Sequence, residues 1–303
     1  CSVRRPAVGT GVTTRATERG QATPEWIGLV LLVALAMTAL AVGGFRIPGL
    51  DLGVVLASRI ACAAGIGTDC GEESELELAY GSALASLVSA NAPTLEYEAG
   101  MRALPVDFRS CREDACAEGA EAGPVAQALG GEPVTAFVHT VDCRDPTAAD
   151  PAFDCSGERA GNLYLQYWLY YPGSATARAL LGDRGFHPDD FESFQLRLRP
   201  GGEVDARASS HRGYNDTSGS WLSDAGVVER AGWTPATGRY AISGGSHAGR
   251  VGDGDQALRW TEPGSIRLIP IELLGDAAHS REFAVTPPWE KRVYLDPEYR
   301  GTD

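Results

Sequence analysis

Three patterns of apolar residues follow one another along the chain. Residues 26–45, WIGLVLLVALAMTALAVGGF, hold no charge between Glu25 and Arg46. Wound as a helix at about 1.5 Å per residue, a run of that length spans about 30 Å, the thickness of a bilayer core. From 73 to 92 the apolar positions of ESELELAYGSALASLVSAN recur near every third and fourth residue, which predicts a surface helix ended by Pro93. From 132 onward the pattern shortens. PVTAFVHTVDC, GNLYLQYWLYYP, FESFQLRLRP, EVDARASSH, RYAISGG, ALRWT and SIRLIPIEL are strand-length runs parted by Gly, Pro, Asp and Ser. RPGGE, between two alternating runs, predicts a hairpin turn. The imperfect alternation of YLQYWLYYP suits a strand buried on both faces. Mainly β structure follows: an antiparallel β-sandwich ectodomain over 132–303, behind a short helical stalk or linker over 46–131 and a transmembrane helix over 21–45.

Charge changes the picture at the N-terminus. Residues 1–20 carry Arg4, Arg5, Arg15 and Arg19 against Glu18, while the chain as a whole has a net charge of −14. Arginines before the span and acidic sequence after it place the N-terminus in the cytoplasm and the C-terminal domain outside, in a single-pass protein of the cell membrane. A secretory signal cleaved near AVGGF is the competing reading, and the span is long for it. The acidic surface excludes nucleic acid as a partner and favours divalent cations or basic partners. Of the 26 basic residues only Lys291 is lysine, a bias expected of a GC-rich genome.

Seven cysteines stand at 1, 62, 70, 111, 116, 143 and 155. Cys1 lies in the leader region. The other six form three close sequence pairs, Cys62 with Cys70, Cys111 with Cys116 and Cys143 with Cys155, and an even set on the exported side reads as disulfides. Zinc would need closely spaced pairs such as C-x2-C, which the chain lacks.

Gly20 precedes Gln21, and Glu25 is the fifth residue after that junction, immediately before the apolar run. This resembles the leader of type IV prepilins of the TadE and Flp kind. The resemblance implies cleavage after Gly20, retention of the helix, and neutralisation of Glu25, costly in lipid, by the new amine of a neighbouring subunit. Its partners would then be subunits of a pilus or Tad-type apparatus, with the membrane engaged through 26–45.

The densest chemistry lies in GFHPDDFESF, residues 185–194. With a strand beginning near Asp190, Asp190 and Glu192 share one face and Phe191 enters the core on the other. His187, in the preceding turn, folds back toward the carboxylates. Two carboxylates and an imidazole make a first shell for a divalent ion, Ca²⁺, Mg²⁺ or Mn²⁺ by their oxygens, with less weight on Zn²⁺. Without an ion the same segment is a solvated acidic turn. His211, at a strand end in ASSHRGYN, and His247, after the turn in SGGSHAGR, are further candidates. His139 and His279 read as ordinary structure.

The string YWLYYP, H-x-x-D-F-E, S-x-H and G-S-H-A, over residues 162–250, resembles the family of vacuolar protein sorting protein sixty-two. It is also similar to the necrosis- and ethylene-inducing peptide-like proteins, with their motif G-H-R-H-D-W-E. The resemblance implies a β-sandwich with a divalent cation held by acidic residues and a histidine. Carried over by position it implies His187, Asp190, Glu192 and His247, with Asp189 at the second motif histidine and His211 as lesser members. Phe191 replaces a tryptophan, and Ser174 stands where the cytolytic family has an aspartate.

Three functions follow. The first is a surface-displayed, cation-dependent binding module for a glycan, lipid or protein ligand. The second is a structural minor pilus subunit. The third is a metal-dependent hydrolase in which His211 or His247 acts as acid or base. The last lacks a nucleophile motif, since SGGSHAG is followed by no helical pattern.

Overall fold

A computed structural model describes residues 74–99, 101–147, 149–174, 187–210, 213–215, 232–254 and 257–300. The chain divides into two units, Cys1–Cys70 and Gly71–Asp303, and every described residue belongs to the second. The expected leader 1–20 with Gly20, the expected span with Glu25 and the apolar run 26–45, Cys62, Cys70 and His211 lie outside the described residues. No helix among the described residues is long and apolar enough to cross a membrane.

The predicted helix is α1, Glu75–Ala90. Ser74 caps it: its hydroxyl accepts the Glu77 amide, and the Glu77 carboxylate accepts the Ser74 amide, each at 3.2 Å. Gly81, at φ 72° and ψ 160°, kinks it midway, a conformation open to glycine at little cost. Leu76, Ala85 and Val88 face the core.

Two sheets follow. The first has five strands in the order β10-β9-β1-β11-β2. They are β1 Thr94–Tyr97, β2 Gly123–Pro124, β9 Arg239–Ile242, β10 Gly249–Val251 and β11 Arg259–Thr261. The second runs β12-β3-β4-β5-β6-β7, with β8 also on β6. Its strands are β3 Thr135–Asp142, β4 Leu163–Ser174, β5 His187–Leu198, β6 Val204–Ser210, β7 Gly213–Tyr214, β8 Thr234–Pro235 and β12 Arg267–Pro270.

Mainly β structure is observed, but the sheets are mixed and not purely antiparallel. β1 runs parallel to β9, β2 to β11, and β3 to β12. The stretch read as linker also departs from expectation, because β1 is the central strand of its sheet. Four residues show no period, and the partners that make TLEY a strand lie well over a hundred residues away. The hairpin at 199–203 forms as expected, with the Arg199 amide donating to the Glu203 carbonyl at 2.9 Å.

β4 is buried along its whole length. Its face bearing Tyr167, Leu169 and Tyr171 packs with Phe194, Leu196, Tyr240 and Ile242 into the core between the sheets. The other face puts Trp168 and Tyr170 against Phe108, Phe137, Phe191 and Val293, under the segments 103–117 and 271–299. Those two segments contain the short helices α2 Asp114–Ala117, α3 Asp276–His279 and α4 Arg292–Leu295. Burying a side chain of this size contributes about 1.5–3 kcal/mol, so a strand apolar on both faces anchors the unit. Cys111–Cys116 and Cys143–Cys155 are disulfides, two of the three expected.

Candidate functional site

The site is built on the first half of β5. That strand begins at His187, three residues earlier than expected, and pairs with β4 through Ser174↔His187, Tyr171↔Asp190 and Leu169↔Glu192. On its other edge β6 stays in register only as far as Phe194↔Ala208. Beyond that point the two strands separate and a side chain fills the gap. The Ser193 amide donates to Ser209 Oγ at 2.6 Å, and that hydroxyl donates to Glu192 Oε2 at 2.5 Å. The separation opens a cleft of about 190 Å³ whose polar lining includes His187, Asp190, Glu192, Ser209, Ser210 and Lys291.

The two carboxylates share a face, as an i, i+2 pair on a strand must. Burial, and secondly the charge of Asp190, push the Glu192 carboxyl well above the usual carboxylate range; Lys291 pulls weakly the other way. Behind the pair, inside the sandwich, the Tyr171 and Tyr240 hydroxyls are buried and without a hydrogen-bond partner. Burial and the neighbouring negative charges keep both phenols protonated. The inner wall is therefore poor in compensating groups, and a charge on Glu192 is costly unless something in the cleft offsets it.

His247 comes from the five-stranded sheet, on the turn between β9 and β10, with φ 56°. Its Nδ1 lies 2.8 Å from Asp190 Oδ2, and its ring stacks on Tyr171 at 3.9 Å between centroids. With Asp190 ionised, Nδ1 is the donor. His247 therefore meets Asp190 from behind and is not part of the cleft lining.

Asp189 points the other way. Its carboxylate accepts from Arg112 Nη2 at 2.8 Å on both oxygens, from the Tyr170 hydroxyl at 2.7 Å and from the Ala284 amide at 2.9 Å. Burial opposes its charge, but those donors hold its carboxyl below the usual range. Its φ of 57° lies in the left-handed region, at a cost of about 1 kcal/mol for a residue with a Cβ.

The other histidines behave as structural groups. His139 is buried, with Nδ1 at 2.8 Å from Glu272 Oε1, Nε2 at 3.1 Å from the Tyr294 carbonyl, and its ring stacked on Tyr294. His279 lies at the end of α3 with its ring 4.8 Å from Trp289. Ser174, opposite His187, is buried, its hydroxyl 3.5 Å from the Gly245 carbonyl.

Among the described residues no three His, Cys, Asp or Glu side chains converge into a ready metal-ligating cluster. Two carboxylates and a hydroxyl do face one cleft, a donor set of oxygens that fits a hard divalent ion with several outer ligands still to be supplied. Sequence reasoning missed Ser209, Lys291 and Arg112. A single lysine in an arginine-rich chain was a visible signal for Lys291; nothing in the sequence tied Arg112 to Asp189.

No protein-family model and no characterised protein matches the chain by sequence. Solved structures similar to it include "NLPPya in complex with mannosamine", 19% identical over 69% of this chain and 86% of that one, with a TM-score of 0.35. "NLPPya in complex with glucosamine" matches at 19% identity with the same coverage and a TM-score of 0.36. Necrosis and ethylene inducing protein 2, from the causal agent of cocoa's witches' broom disease, matches at 15% identity over 65% of this chain and 91% of that one, with a TM-score of 0.29. Likeness at this level assigns neither function nor ligand.

Proposed function

We propose that this chain is a membrane-anchored surface protein whose β-rich unit binds a hydroxyl-rich ligand, a glycan, through a divalent cation held in the β5–β6 cleft. One observation carries the reading: Asp190 and Glu192 stand side by side at an opening of the sheet, with the Glu192 carboxyl pushed well above its usual range. A divalent cation relieves that crowding directly. Asp190 and Glu192 would hold it, with the Ser209 hydroxyl beside them and His187 at the mouth. When bound, the ion supplies open coordination positions that vicinal sugar hydroxyls can fill. Carboxylate and hydroxyl oxygens favour Ca²⁺, Mg²⁺ or Mn²⁺ over Zn²⁺.

The anchor belongs to the same proposal. The apolar run 26–45 would span the cell membrane with the N-terminus in the cytoplasm, after cleavage at Gly20, and Glu25 would pair with a neighbouring subunit of a pilus or Tad-type assembly. A hydrolase reading finds less support, because His247 is held on Asp190 and Tyr171 and faces away from the cleft.

Calorimetric titration of the full chain with Mn²⁺ and Ca²⁺ tests the site. One ion per chain is expected, with affinity at least tenfold weaker, about 1.4 kcal/mol, in Asp190→Asn and in Glu192→Gln. A wild type that binds neither ion, or variants that bind as well as wild type, would reject it. Among the described lining residues, Lys291 would then supply the cleft's positive charge.

A further inference from the structure

We infer that the outer face of the seven-stranded sheet is a peptide groove, filled here by the chain's own residues 292–299, and that the same segment of a second copy can take that place. Four polar residues cross this face in one row. β3, β4, β5 and β6 pair as His139↔Gln166, Gln166↔Gln195 and Gln195↔Arg207. By strand alternation all four share the face of Phe137, Trp168 and Phe191. None is more than 2% exposed. Polar side chains persist at that depth where they find hydrogen-bond partners, and three of the four find them on the main chain of 293–299.

Trp168 Nε1 donates to Gln166 Oε1 at 3.1 Å, which leaves the Gln166 amide nitrogen to donate to the Val293 carbonyl at 2.8 Å. His139 Nε2 lies 3.1 Å from the Tyr294 carbonyl. Arg207 donates to the Pro297 carbonyl at 2.5 Å and the Tyr299 carbonyl at 3.3 Å, and Gln195 Oε1 braces its guanidinium at 2.8 and 2.9 Å. The Asp154 amide donates to the Leu295 carbonyl at 3.3 Å. The segment's own amides are satisfied internally: Tyr294 donates to the Lys291 carbonyl, Asp296 to Arg292, Tyr299 to Asp296, and Glu298 to Asp296 Oδ1. It adds no strand to either sheet. The segment therefore docks as a finished unit that offers its carbonyls, whatever side chains it bears.

Two carboxylates fix its register. Asp296 Oδ1 accepts from Arg159 Nε at 2.7 Å and Nη2 at 2.5 Å. Glu298 is buried and accepts from the Tyr164 hydroxyl at 2.8 Å, Arg197 Nη1 at 3.0 Å and Trp233 Nε1 at 2.7 Å. Charge-assisted bonds of this kind are the strong ones. The groove thus selects an acidic segment of the form Asp-x-Glu, and a second copy of this chain carries it unchanged. Contacts that close within one copy close equally between two once the connecting stretch opens; the tether only raises the local concentration. Glu290 and Arg292, beside Lys291, are exposed, so the chain can swing there while Trp289 stays in the aromatic layer. Nothing in this inference depends on a cation in the cleft.

Lys291 is the chain's single lysine, so a lysine-specific protease cuts the folded full chain once, at the start of the segment. Fragment 292–303 is expected to stay bound through gel filtration and to be displaced by a labelled synthetic peptide of the same residues. Glu298→Gln or Asp296→Asn in that peptide is expected to weaken binding at least tenfold. Uncut chain should bind the peptide at least tenfold more weakly than cut chain, because its own segment competes. Energy transfer between donor- and acceptor-labelled full chains, mixed at high concentration, reports the second copy: exchange predicts a component that disappears on cutting at Lys291. A fragment that leaves at once while the rest stays folded, or a peptide indifferent to Glu298 and Asp296, would overturn the groove. Energy transfer unchanged by the cut would overturn the second copy as occupant, as would a folded chain that resists a cut the urea-unfolded chain accepts.

Discussion

Asp189 and Asp190 adjoin in sequence, share a chemistry and do opposite work. Asp190 faces the cleft and orients His247, while Asp189 faces the aromatic layer and accepts from Arg112, Tyr170 and the Ala284 amide. Period-two reasoning placed Asp190, Phe191 and Glu192 on their faces because that part of β5 is regular. It put His187 in the turn before the strand, whereas His187 is the strand's first residue and pairs with Ser174. A second carboxylate, Glu272, shows how burial and pairing translate into pH dependence. Burial opposes its charge, but hydrogen bonds from His139 and Tyr80 hold its carboxyl below the usual glutamate range. A lowered folded pKa means stability that is present above the unfolded value of about 4.3 and is lost as pH falls through the folded value. Glu272→Gln is therefore expected to be less stable than wild type at neutral pH, with the difference closing below about pH 4.3. Urea unfolding across that range measures it, and parallel curves for the two proteins would contradict the assignment.

At the scale of elements, legibility followed length and amphipathic pattern. α1 was readable because its apolar residues recur at helical spacing up to Pro93, while the Ser74–Glu77 cap that starts it went unread. β4 and β5 were readable because twelve residues each show strand character. β1, β2 and β11 were not assigned correctly as a sheet, since strands of two to four residues acquire identity only from distant partners. The mixed pairing escaped for the same reason: parallel neighbours leave no local turn to read. Gly249, on β10, marks where the two sheets close on each other. A Cβ there would meet the Tyr240 ring and, at 2.8 Å, the Ala208 Cβ on β6. Gly249→Ala is expected to destabilise by about 1–3 kcal/mol through overpacking, read as a lower midpoint in urea with an unchanged slope. An unchanged midpoint would show that the sheets part easily at this edge.

For the whole molecule, the sequence separates a polar basic stretch, an apolar run and a β-rich unit. Two disulfides, Cys111–Cys116 and Cys143–Cys155, tie the segments that flank the seven-stranded sheet. Protein recovered from membranes is expected to begin at Gln21 and to gain the mass of six hydrogens on reduction, one pair for each of three disulfides. An intact residue 1 would remove the prepilin-like leader, and a smaller gain would remove the pairing of Cys62 with Cys70. The central claim, however, concerns the opening between β5 and β6, where two carboxylates meet a hydroxyl. Crystals of the protein soaked in Mn²⁺ and measured at the manganese absorption edge test it most directly. An anomalous peak within coordination distance of both Asp190 and Glu192, absent in Glu192→Gln, is the predicted result. A cleft with no peak, and Lys291 closing on Glu192 in its place, would contradict it.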